Sequence, residues 1–172
     1  MATLFPVINF KEWIEDNRHL LKPPVGNKMI WQEGEFIAMV VGGPNSRKDY
    51  HINQTSEFFY QVEGDMVLKI IVDGEPQDVN IREGDIYLLP PNIPHSPRRP
   101  ANTIGLVIEQ KRPEGMIDGL VWHCENCGTK LYQDTFSMVN IEEDLKLAFD
   151  NFFKDKEKTT CTNCGTVMQR PK

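Results

Sequence analysis

The pattern of hydrophobic and polar residues divides the chain into a helical start, a long middle of short strands and a mixed end. Apolar residues recur at roughly helical spacing after Asn9, and Glu12 follows Asn9 at the distance of a capping box. We therefore predict a first helix over residues 9–20. Two prolines and a glycine within residues 22–27 then force an irregular loop.

The middle of the chain, from residue 29 to residue 110, has the pattern of an all-β domain. Short runs rich in Val, Ile, Phe and Tyr are separated by Gly, Pro, Asn and Asp, without helical segments between them. Such spacing predicts a β-sandwich or barrel. Strands are expected at residues 29–32, 35–42, 57–63, 65–73, 77–81, 86–89, 93–95 and 103–110, with turns at Gly34, Gly64, Asp73-Gly74 and Glu83-Gly84.

The end of the chain differs from the middle, and we place a domain boundary between them. Residues 1–115 are predicted to hold the N-terminal helix and the β-domain, and residues 116–172 a C-terminal extension. Within the extension, a helix is predicted from Asn140 to Lys154, with Glu143 at capping-box distance. Its apolar stripe consists of Ile141, Leu145, Ala148, Phe149 and Phe152.

Charge and hydropathy exclude two classes of partner. The chain has 172 residues and a formal net charge of −6, whereas nucleic-acid backbones and anionic membranes are bound through basic surfaces. No apolar run approaches the length of a membrane span, and the acidic residues near the start do not fit a signal peptide. We therefore expect a cytoplasmic protein whose partners include neither nucleic acid nor membrane.

Two spaced motifs in the predicted β-domain resemble those of the cupin family. The first runs from Gly43 through Asp49, Tyr50 and His51 to Glu57 and Gly64, and the second from Gly84 through Pro90, Asn92 and His95 to Arg99. The resemblance implies a double-stranded β-helix, or jelly-roll barrel, with the motifs on facing hairpins around a metal. Two positions depart from the common pattern, because Asp49 replaces a usual histidine and Arg99 a frequent asparagine.

The predicted metal ligands are His51, Glu57 and His95. Two neutral imidazole nitrogens and one carboxylate oxygen on the same face suit Fe(II) and leave positions open for a substrate and dioxygen. Taken singly, each residue is as easily an ordinary polar surface group or a satisfied core group. Their joint spacing with both glycines and Pro90 favours the metal site.

Two arginines and a glutamate complete the predicted pocket. Arg47 precedes one histidine ligand by four residues and Arg99 follows the other by four, which along a strand places each on the side of its ligand. Guanidinium groups in an apolar lumen favour a substrate carboxylate. The alternative is an internal salt bridge with Glu109 or Asp49. Glu109 itself, at the end of an apolar strand, is either exposed or an inward acceptor.

Four cysteines form two Cys-x-x-Cys-Gly knuckles, with members Cys124, Cys127, Cys161 and Cys164. This pattern is typical of a tetrahedral four-thiolate site and resembles rubredoxin, whose ion is iron, although zinc suits the same geometry. We expect a structural site that ties the C-terminal helix to the barrel, and a redox role is the alternative. His19 and His123 receive no role, and His123 is expected beside the first knuckle with its imidazole at the surface.

Longer strings of residues carry a more specific resemblance. They are Leu20-Leu-Lys-Pro-Pro-Val-Gly-Asn27, Val40-Val-Gly-Gly-Pro-Asn45, Asp49-Tyr-His51, Glu57-Phe-Phe-Tyr60, Leu88-Leu-Pro-Pro91, Pro94-His-Ser-Pro97 and Val107-Ile-Glu-Gln110. Together they resemble the 3-hydroxyanthranilate 3,4-dioxygenase family in its short bacterial and fungal type. The resemblance spans almost the whole chain, including both cysteine pairs.

This resemblance implies an activity and its cofactors. The activity is ring opening of 3-hydroxyanthranilate with O₂ to 2-amino-3-carboxymuconate semialdehyde, the precursor of quinolinate on the kynurenine route from tryptophan to NAD. It implies two Fe(II) ions per subunit, one catalytic and one in the four-cysteine site, without an organic cofactor. The partners it implies are a small aromatic amino acid, O₂ and a second copy of the chain in a homodimer.

The resemblance also implies roles for individual residues. Arg47 and Arg99, helped by Asn27, would hold the ring carboxylate, and Glu57 would border the substrate as well as the iron. Glu109 would accept from the substrate hydroxyl or amine as it loses a proton. The candidates for an apolar wall around the ring, which are equally plausible as plain core residues, are Val25, Val41, Phe59 and Pro97.

Two other functions fit the same residues. One is a different cupin oxygenase that acts on a thiol or a catechol. The two arginines and Glu109 argue against a thiol, because they suit an aromatic amino acid as substrate. A non-catalytic sensor or zinc-ribbon module would use the barrel only to bind a ligand. Oxygen consumption distinguishes such a sensor from an enzyme.

Overall fold

The fold is described from a computed structural model that covers residues 4–23, 26–31, 33–137 and 141–171. Almost all of the middle of the chain is β-structure, as predicted. In chain order the elements are α1 (Phe10–Asn17), a 3-10 helix (Arg18–Leu20), β1 (Asn27–Met29), β2 (Phe36–Gly42), β3 (Asp49–Ile52), β4 (Glu57–Glu63), β5 (Met66–Val72), β6 (Glu75–Ile81), β7 (Ile86–Leu89), β8 (His95–Arg98), β9 (Ile104–Gln110), β10 (Asp118–His123), β11 (Lys130–Phe136), α2 (Ile141–Lys154) and α3 (Lys156–Thr159).

The strands form two antiparallel sheets that face each other. One has the strand order β1-β2-β9-β4-β7 and the other β11-β10-β3-β8-β5-β6. Residues from both sheets bury their side chains between them, namely Phe59, Met66, Leu68, Ile70, Ile81, Leu89 and Val107. Neighbouring strands are mostly distant in sequence, as in a jelly roll, and the predicted cupin-type barrel is confirmed.

The N-terminal helix begins where the sequence predicted. The Asn9 side chain accepts hydrogen bonds from the backbone N–H groups of Lys11 and Glu12, so it caps α1. The helix places Ile14 against Val40 of β2 in a second apolar cluster, which covers one end of the five-stranded sheet. The following 3-10 turn extends the helical segment to residue 20.

The C-terminal helix α2 packs against β10 and β11. Phe152 stacks on Trp122 of β10 with ring centroids 4.2 Å apart, and Ala148 is buried beside them. This confirms the predicted helix, while its predicted cap, Asn140, and the side chain of Ile141 lie outside the described residues. In the described part of the chain no helix is long and apolar enough to span a membrane. The domain boundary at residues 115 and 116 stays a prediction.

Three strands were missed by the sequence patterning, and two were misplaced. Strand β3 is short and has a polar sequence, Asp-Tyr-His-Ile, because its inward residues serve the site rather than the core. Strands β10 and β11 lie in the segment interpreted as a mixed extension. The strand expected at 93–95 is β8, which begins at His95, and the strand expected at 29–32 ends at Met29. Pairing with neighbours, rather than local propensity, decides these boundaries.

Candidate active site

The two sheets bring the three predicted metal ligands to one point. His51 on β3 lies directly opposite His95 on β8, and Glu57 projects from β4 of the other sheet. The distance to Glu57 Oε1 is 3.1 Å from His95 Nε2 and 3.7 Å from His51 Nδ1. One ligand atom from each residue lies within 4.8 Å of the others, and all three residues are buried.

The donor set and the pKa shifts of Glu57 and His51 fit a divalent metal ion. Burial opposes the ionisation of Glu57, but the adjacent imidazoles of His95 and His51 lower its pKa. Burial also lowers the pKa of His51. Burial opposes charge on His95 as well, yet the Glu57 carboxylate raises the pKa of that residue. A proton on His95 and a metal cation are therefore alternative partners for the same carboxylate.

Further polar groups, two side chains and one backbone carbonyl, hold the predicted ligands in place. Asp118 Oδ2 lies 2.6 Å from His51 Nε2, the ring nitrogen turned away from Glu57. Asn53 donates from Nδ2 to Glu57 Oε1 over 3.1 Å. His95 Nδ1 lies 2.9 Å from a backbone carbonyl oxygen, to which its N–H donates. Such contacts fix the orientation of a ligand ring.

Glu109 points into the barrel rather than into solvent. It lies on β9 directly opposite Glu57 on β4, so both side chains project to the same face. Asn53 and Arg112 donate hydrogen bonds to its Oε2 over 3.0 Å and 2.8 Å. Burial, reinforced by the charge of Glu57, raises the pKa of Glu109 to about 7 even though Arg112 opposes the shift. This carboxyl group can therefore exchange a proton near neutral pH.

Arg99 is a buried cation, and no acidic side chain among the described residues pairs with it. Its Nη1 donates to Gln61 Oε1 over 2.9 Å, and its Nε is buried without a hydrogen-bond partner in the described part of the chain. Burial lowers the pKa of Arg99 to about 10. A Cβ on Gly105 would lie 2.6 Å from Arg99 Nη1, so a side chain at this position would displace the guanidinium. Among the described residues, neither predicted salt-bridge partner pairs with Arg99.

Arg47, by contrast, forms the internal ion pair that was the alternative at this position. Its Nε and Nη2 donate to the two carboxylate oxygens of Asp49, which is 1% exposed. Its guanidinium also lies 5.7 Å above the ring of Phe149 on α2. Electrostatic interactions with Glu57 and Glu109 place Arg47 beside the predicted metal site. Asp49, which departs from the common cupin pattern, therefore holds an arginine.

The remaining predicted pocket residues lie on strands of the two sheets, except for one that is not described. Phe59 is buried and meets the His95 ring edge-on at 6.5 Å between centroids. Asn27 on β1 lies directly opposite Val41 on β2, and Pro97 lies half-buried on β8. Val25 falls outside the described residues. The substrate contacts of these residues stay predictions.

The four cysteines form a second cluster. Cys124 Sγ lies 3.5 Å from Cys164 Sγ and Cys127 Sγ lies 3.5 Å from Cys161 Sγ, with all four sulfur atoms within 4.8 Å of one another. A tetrahedral ion with metal–sulfur bonds of about 2.3 Å needs sulfur atoms separated by about 3.8 Å. All four residues are free thiols. The predicted four-thiolate geometry is therefore present.

The two cysteine knuckles have the same backbone structure. In each, the amide of the first cysteine donates to a threonine carbonyl five residues on, and a glycine with positive φ follows the second cysteine. The pKa of Cys164 is lowered to about 5, mainly by the hydrogen bond with the Thr166 side chain. His123 is half-buried against Tyr50, with ring centroids 5.8 Å apart, so its imidazole is only partly at the surface.

Comparison with known proteins identifies the relatives of the chain. Residues 2–153 match the model of the family described as 3-hydroxyanthranilic acid dioxygenase. The chain belongs to this family. A relative named 3-hydroxyanthranilate 3,4-dioxygenase from Xanthomonas campestris pv. campestris is 53% identical over 168 residues, which cover 98% of this chain and 95% of the relative. Another of that name from Ruegeria pomeroyi is 50% identical over 160 residues, covering 92% and 89%.

Membership of the 3-hydroxyanthranilic acid dioxygenase family confirms the predicted resemblance, which rested on strings along almost the whole chain. Among solved structures, a cupin-2 domain protein from Shewanella frigidimarina is similar with a TM-score of 0.49 and 21% identity, covering 60% of this chain and 94% of that one. The family is metal-dependent, and two residue clusters in the described part of the chain can hold a metal.

Proposed function

We propose that this chain opens the aromatic ring of 3-hydroxyanthranilate with O₂ to give 2-amino-3-carboxymuconate semialdehyde. That product is the precursor of quinolinate in the formation of NAD from tryptophan. Family membership supports the activity. The observation that carries the proposal in the structure is the convergence of His51, Glu57 and His95 in one buried site, beside an inward carboxyl group and a buried arginine.

Iron is the proposed ion at both clusters, which gives two Fe(II) per subunit, and zinc is the alternative in the four-cysteine cluster. His51, Glu57 and His95 would hold the catalytic ion, and their two nitrogens and one oxygen suit Fe(II) with open positions. When bound, Fe(II) supplies the one-electron chemistry that O₂ needs and brings both reactants together. The four thiolates leave no position open, so the second ion is structural.

Arg99 is the proposed partner of the substrate carboxylate. A buried guanidinium with one neutral acceptor is unfavourable until an anion pairs with it, whereas a guanidinium and a carboxylate form two parallel, charge-assisted hydrogen bonds. Arg47 and Asn27 are proposed to contact the same carboxylate. Arg47 can do so with a nitrogen that does not bind Asp49, because Nη1 has no part in that ion pair.

Glu109 is the proposed acceptor of the substrate proton. The substrate hydroxyl must lose a proton to become an electron-rich donor, and an acceptor works best when its pKa lies near the operating pH. The pKa of Glu109, about 7, meets that condition. Its Oε2 already accepts two hydrogen bonds, which hold the carboxyl group in one orientation.

Replacing Arg99 by methionine should weaken substrate binding without weakening the fold. A hydrogen bond to a charged group contributes about 1.5–3 kcal/mol, so KM is expected to rise by about 10- to 150-fold, with a smaller change in kcat. Since Arg99 has no acidic partner among the described residues, the melting temperature should stay within about 3 °C of the parent. For a chain of this size, that corresponds to a change of less than about 1.5 kcal/mol in the free energy of unfolding. Steady-state kinetics and calorimetry measure both quantities.

Arg82→Met provides the matched control, because Arg82 is an exposed arginine in the turn before β7. This control should leave KM unchanged. An unchanged KM in the Arg99 variant would rule out the carboxylate contact.

The proposed activity is tested by anaerobic reconstitution with Fe(II), followed by 3-hydroxyanthranilate and air. We expect one O₂ to be consumed per substrate, together with the absorbance of the semialdehyde. Binding without oxygen uptake would indicate a sensor instead. Faster turnover of a thiol or a simple catechol would indicate a different cupin oxygenase.

A homodimer in the cytoplasm is also proposed. The outer face of the five-stranded sheet carries two paired rows of mainly apolar residues, Leu88-Phe58-Ile108 and Ile86-Tyr60-Leu106. Of these, Ile86 is 67% exposed and Leu88 is 63% exposed. Burial of such a face in a second copy would remove apolar surface from water. Analytical ultracentrifugation should give twice the mass of the chain, and cell fractionation tests the compartment.

A further inference from the structure

One buried arginine connects the two halves of the proposed site. We propose that Arg112 is a positioning residue that fixes the metal ligand His51 and the proton acceptor Glu109 relative to each other. It does so through Asp118, which stands between Arg112 and His51. This inference rests on the proposed function, and it adds Arg112, Asp118 and Asn53 to the residues on which turnover depends.

Four of the five N–H groups of the Arg112 guanidinium donate hydrogen bonds. Its Nε and Nη2 donate to the two oxygens of Asp118 over 2.9 Å and 2.7 Å, a planar bidentate pair. Its Nη1 donates to Glu109 Oε2 over 2.8 Å and to the carbonyl oxygen of Gln110 over 3.0 Å. The side chains of Arg112, Glu109 and Asp118 are 3%, 3% and 0% exposed. The arrangement is therefore rigid and shielded from water.

Asp118 passes this constraint on to His51. The Asp118 oxygen that accepts from Arg112 Nη2 also lies 2.6 Å from His51 Nε2. A carboxylate behind a ligand histidine fixes its tautomer and ring orientation. Since Nε2 faces Asp118, the other nitrogen, Nδ1, is the one that faces Glu57. A shift of Arg112 would therefore move the ring on which the ion depends.

Asn53 closes the connection from the opposite side. Its Nδ2 donates to Glu57 Oε1 over 3.1 Å and to Glu109 Oε2 over 3.0 Å. Its own Oδ1 accepts two hydrogen bonds from Thr55, which prevent the amide from turning. Around the metal site the residues follow in the order His51, Asp118, Arg112, Glu109, Asn53 and Glu57.

The positive charge of Arg112 also neutralises buried carboxylates. It is placed between two buried carboxyl groups, and a third, Glu57, lies opposite Glu109. Removal of the guanidinium would leave Asp118 and Glu109 without their cation, and both carboxyl groups would lose the orientation that its hydrogen bonds set. An ion pair that merely stabilised the barrel would affect stability but not iron affinity.

The test uses Arg112→Met, Arg112→Lys and Asp118→Asn in the full chain. Fe(II) affinity is measured anaerobically by competition with a chelator, without substrate, and kcat and KM are then measured at saturating iron. Loss of a residue behind a metal ligand costs about 10- to 100-fold in metal affinity or activity. We expect Arg112→Met to lose affinity and kcat in that range while KM changes less than about threefold, because Arg99 is intact.

The conservative variants give the signature of positioning. Arg112→Lys should recover part of both losses, since an ammonium supplies the charge but not the bidentate geometry. Asp118→Asn should lower Fe(II) affinity, and Arg82→Met is the control with parental values. If Arg112→Met does not fold, the Fe(II) affinity and kcat of Arg112→Lys and Asp118→Asn test the proposal instead.

Two results would overturn the proposal. One is an iron affinity and a kcat within twofold of the parent in the folded variants. The other is a lower melting temperature with both quantities unchanged, which would make Arg112 a purely structural residue. Failure of the ring-opening activity would be recognised separately, because iron affinity is measured without substrate and the parent protein would then show no oxygen uptake.

Discussion

Replacement of His51 or His95 by alanine should abolish turnover and retention of the catalytic iron, while the ion of the four-cysteine cluster stays bound. Each variant keeps Glu57 and only one histidine, whereas the parent has three ligand atoms within 4.8 Å of one another. Changes one step behind a ligand already cost about 10- to 100-fold, so loss of the ligand itself should lower kcat/KM by at least about 10³-fold. Metal analysis after gel filtration and oxygen uptake measure the two effects.

The barrel should remain folded in the His51 variant, because Asp118 keeps its bidentate pair with Arg112 when His51 is removed. Circular dichroism checks the fold. His19→Ala is the matched control, since His19 is exposed on the 3-10 helix far along the sequence from either cluster. Retained activity in the folded His51 variant would refute the ligand assignment.

Replacement of Cys161 by serine should destabilise the protein before it affects the reaction. Cys161 is 2% exposed, and its Sγ is one of four that converge. Structural thiolate sites bind zinc with apparent free energies on the order of 10 kcal/mol, so loss of one ligand should lower the unfolding free energy by at least about 3 kcal/mol. For a chain of this size that corresponds to about 6–12 °C in melting temperature.

The rate of the folded fraction separates a structural site from a redox one. Below the unfolding temperature, the Cys161 variant should keep a kcat per catalytic iron within about twofold of the parent, because the four thiolates leave no open position for chemistry. Thr162→Ser, an exposed change in the same knuckle, is the matched control. A selective loss of turnover without a loss of stability would overturn the structural assignment.

The ligand residues were predictable from sequence because their spacing reflects the fold. His51 and His95 lie on strands that pair directly, although more than forty positions separate them, and the glycines of both motifs and Pro90 indicated the hairpins. The four cysteines were equally predictable, since each knuckle is local. The first helix was predictable from Asn9, because its side chain caps the helix by contacts within three residues along the sequence.

Residues that act through long-range pairing were not predictable in the same way. The sequence analysis gave Asp118 no role, and only the pairing of β10 with β3 places it behind His51. Arg112 follows β9 in a stretch for which no element was predicted, and nothing local marks it as buried. The partner of Arg47 was one of two open alternatives, which the structure decides in favour of Asp49.

The central claim is that a metal ion binds between His51, Glu57 and His95, and anomalous X-ray diffraction at the iron absorption edge tests it most directly. Crystals of the iron-loaded protein should give one iron peak bonded to these three side chains and a second metal peak among the four cysteines. Iron confined to the cysteines, or bound elsewhere in the barrel, would contradict the account.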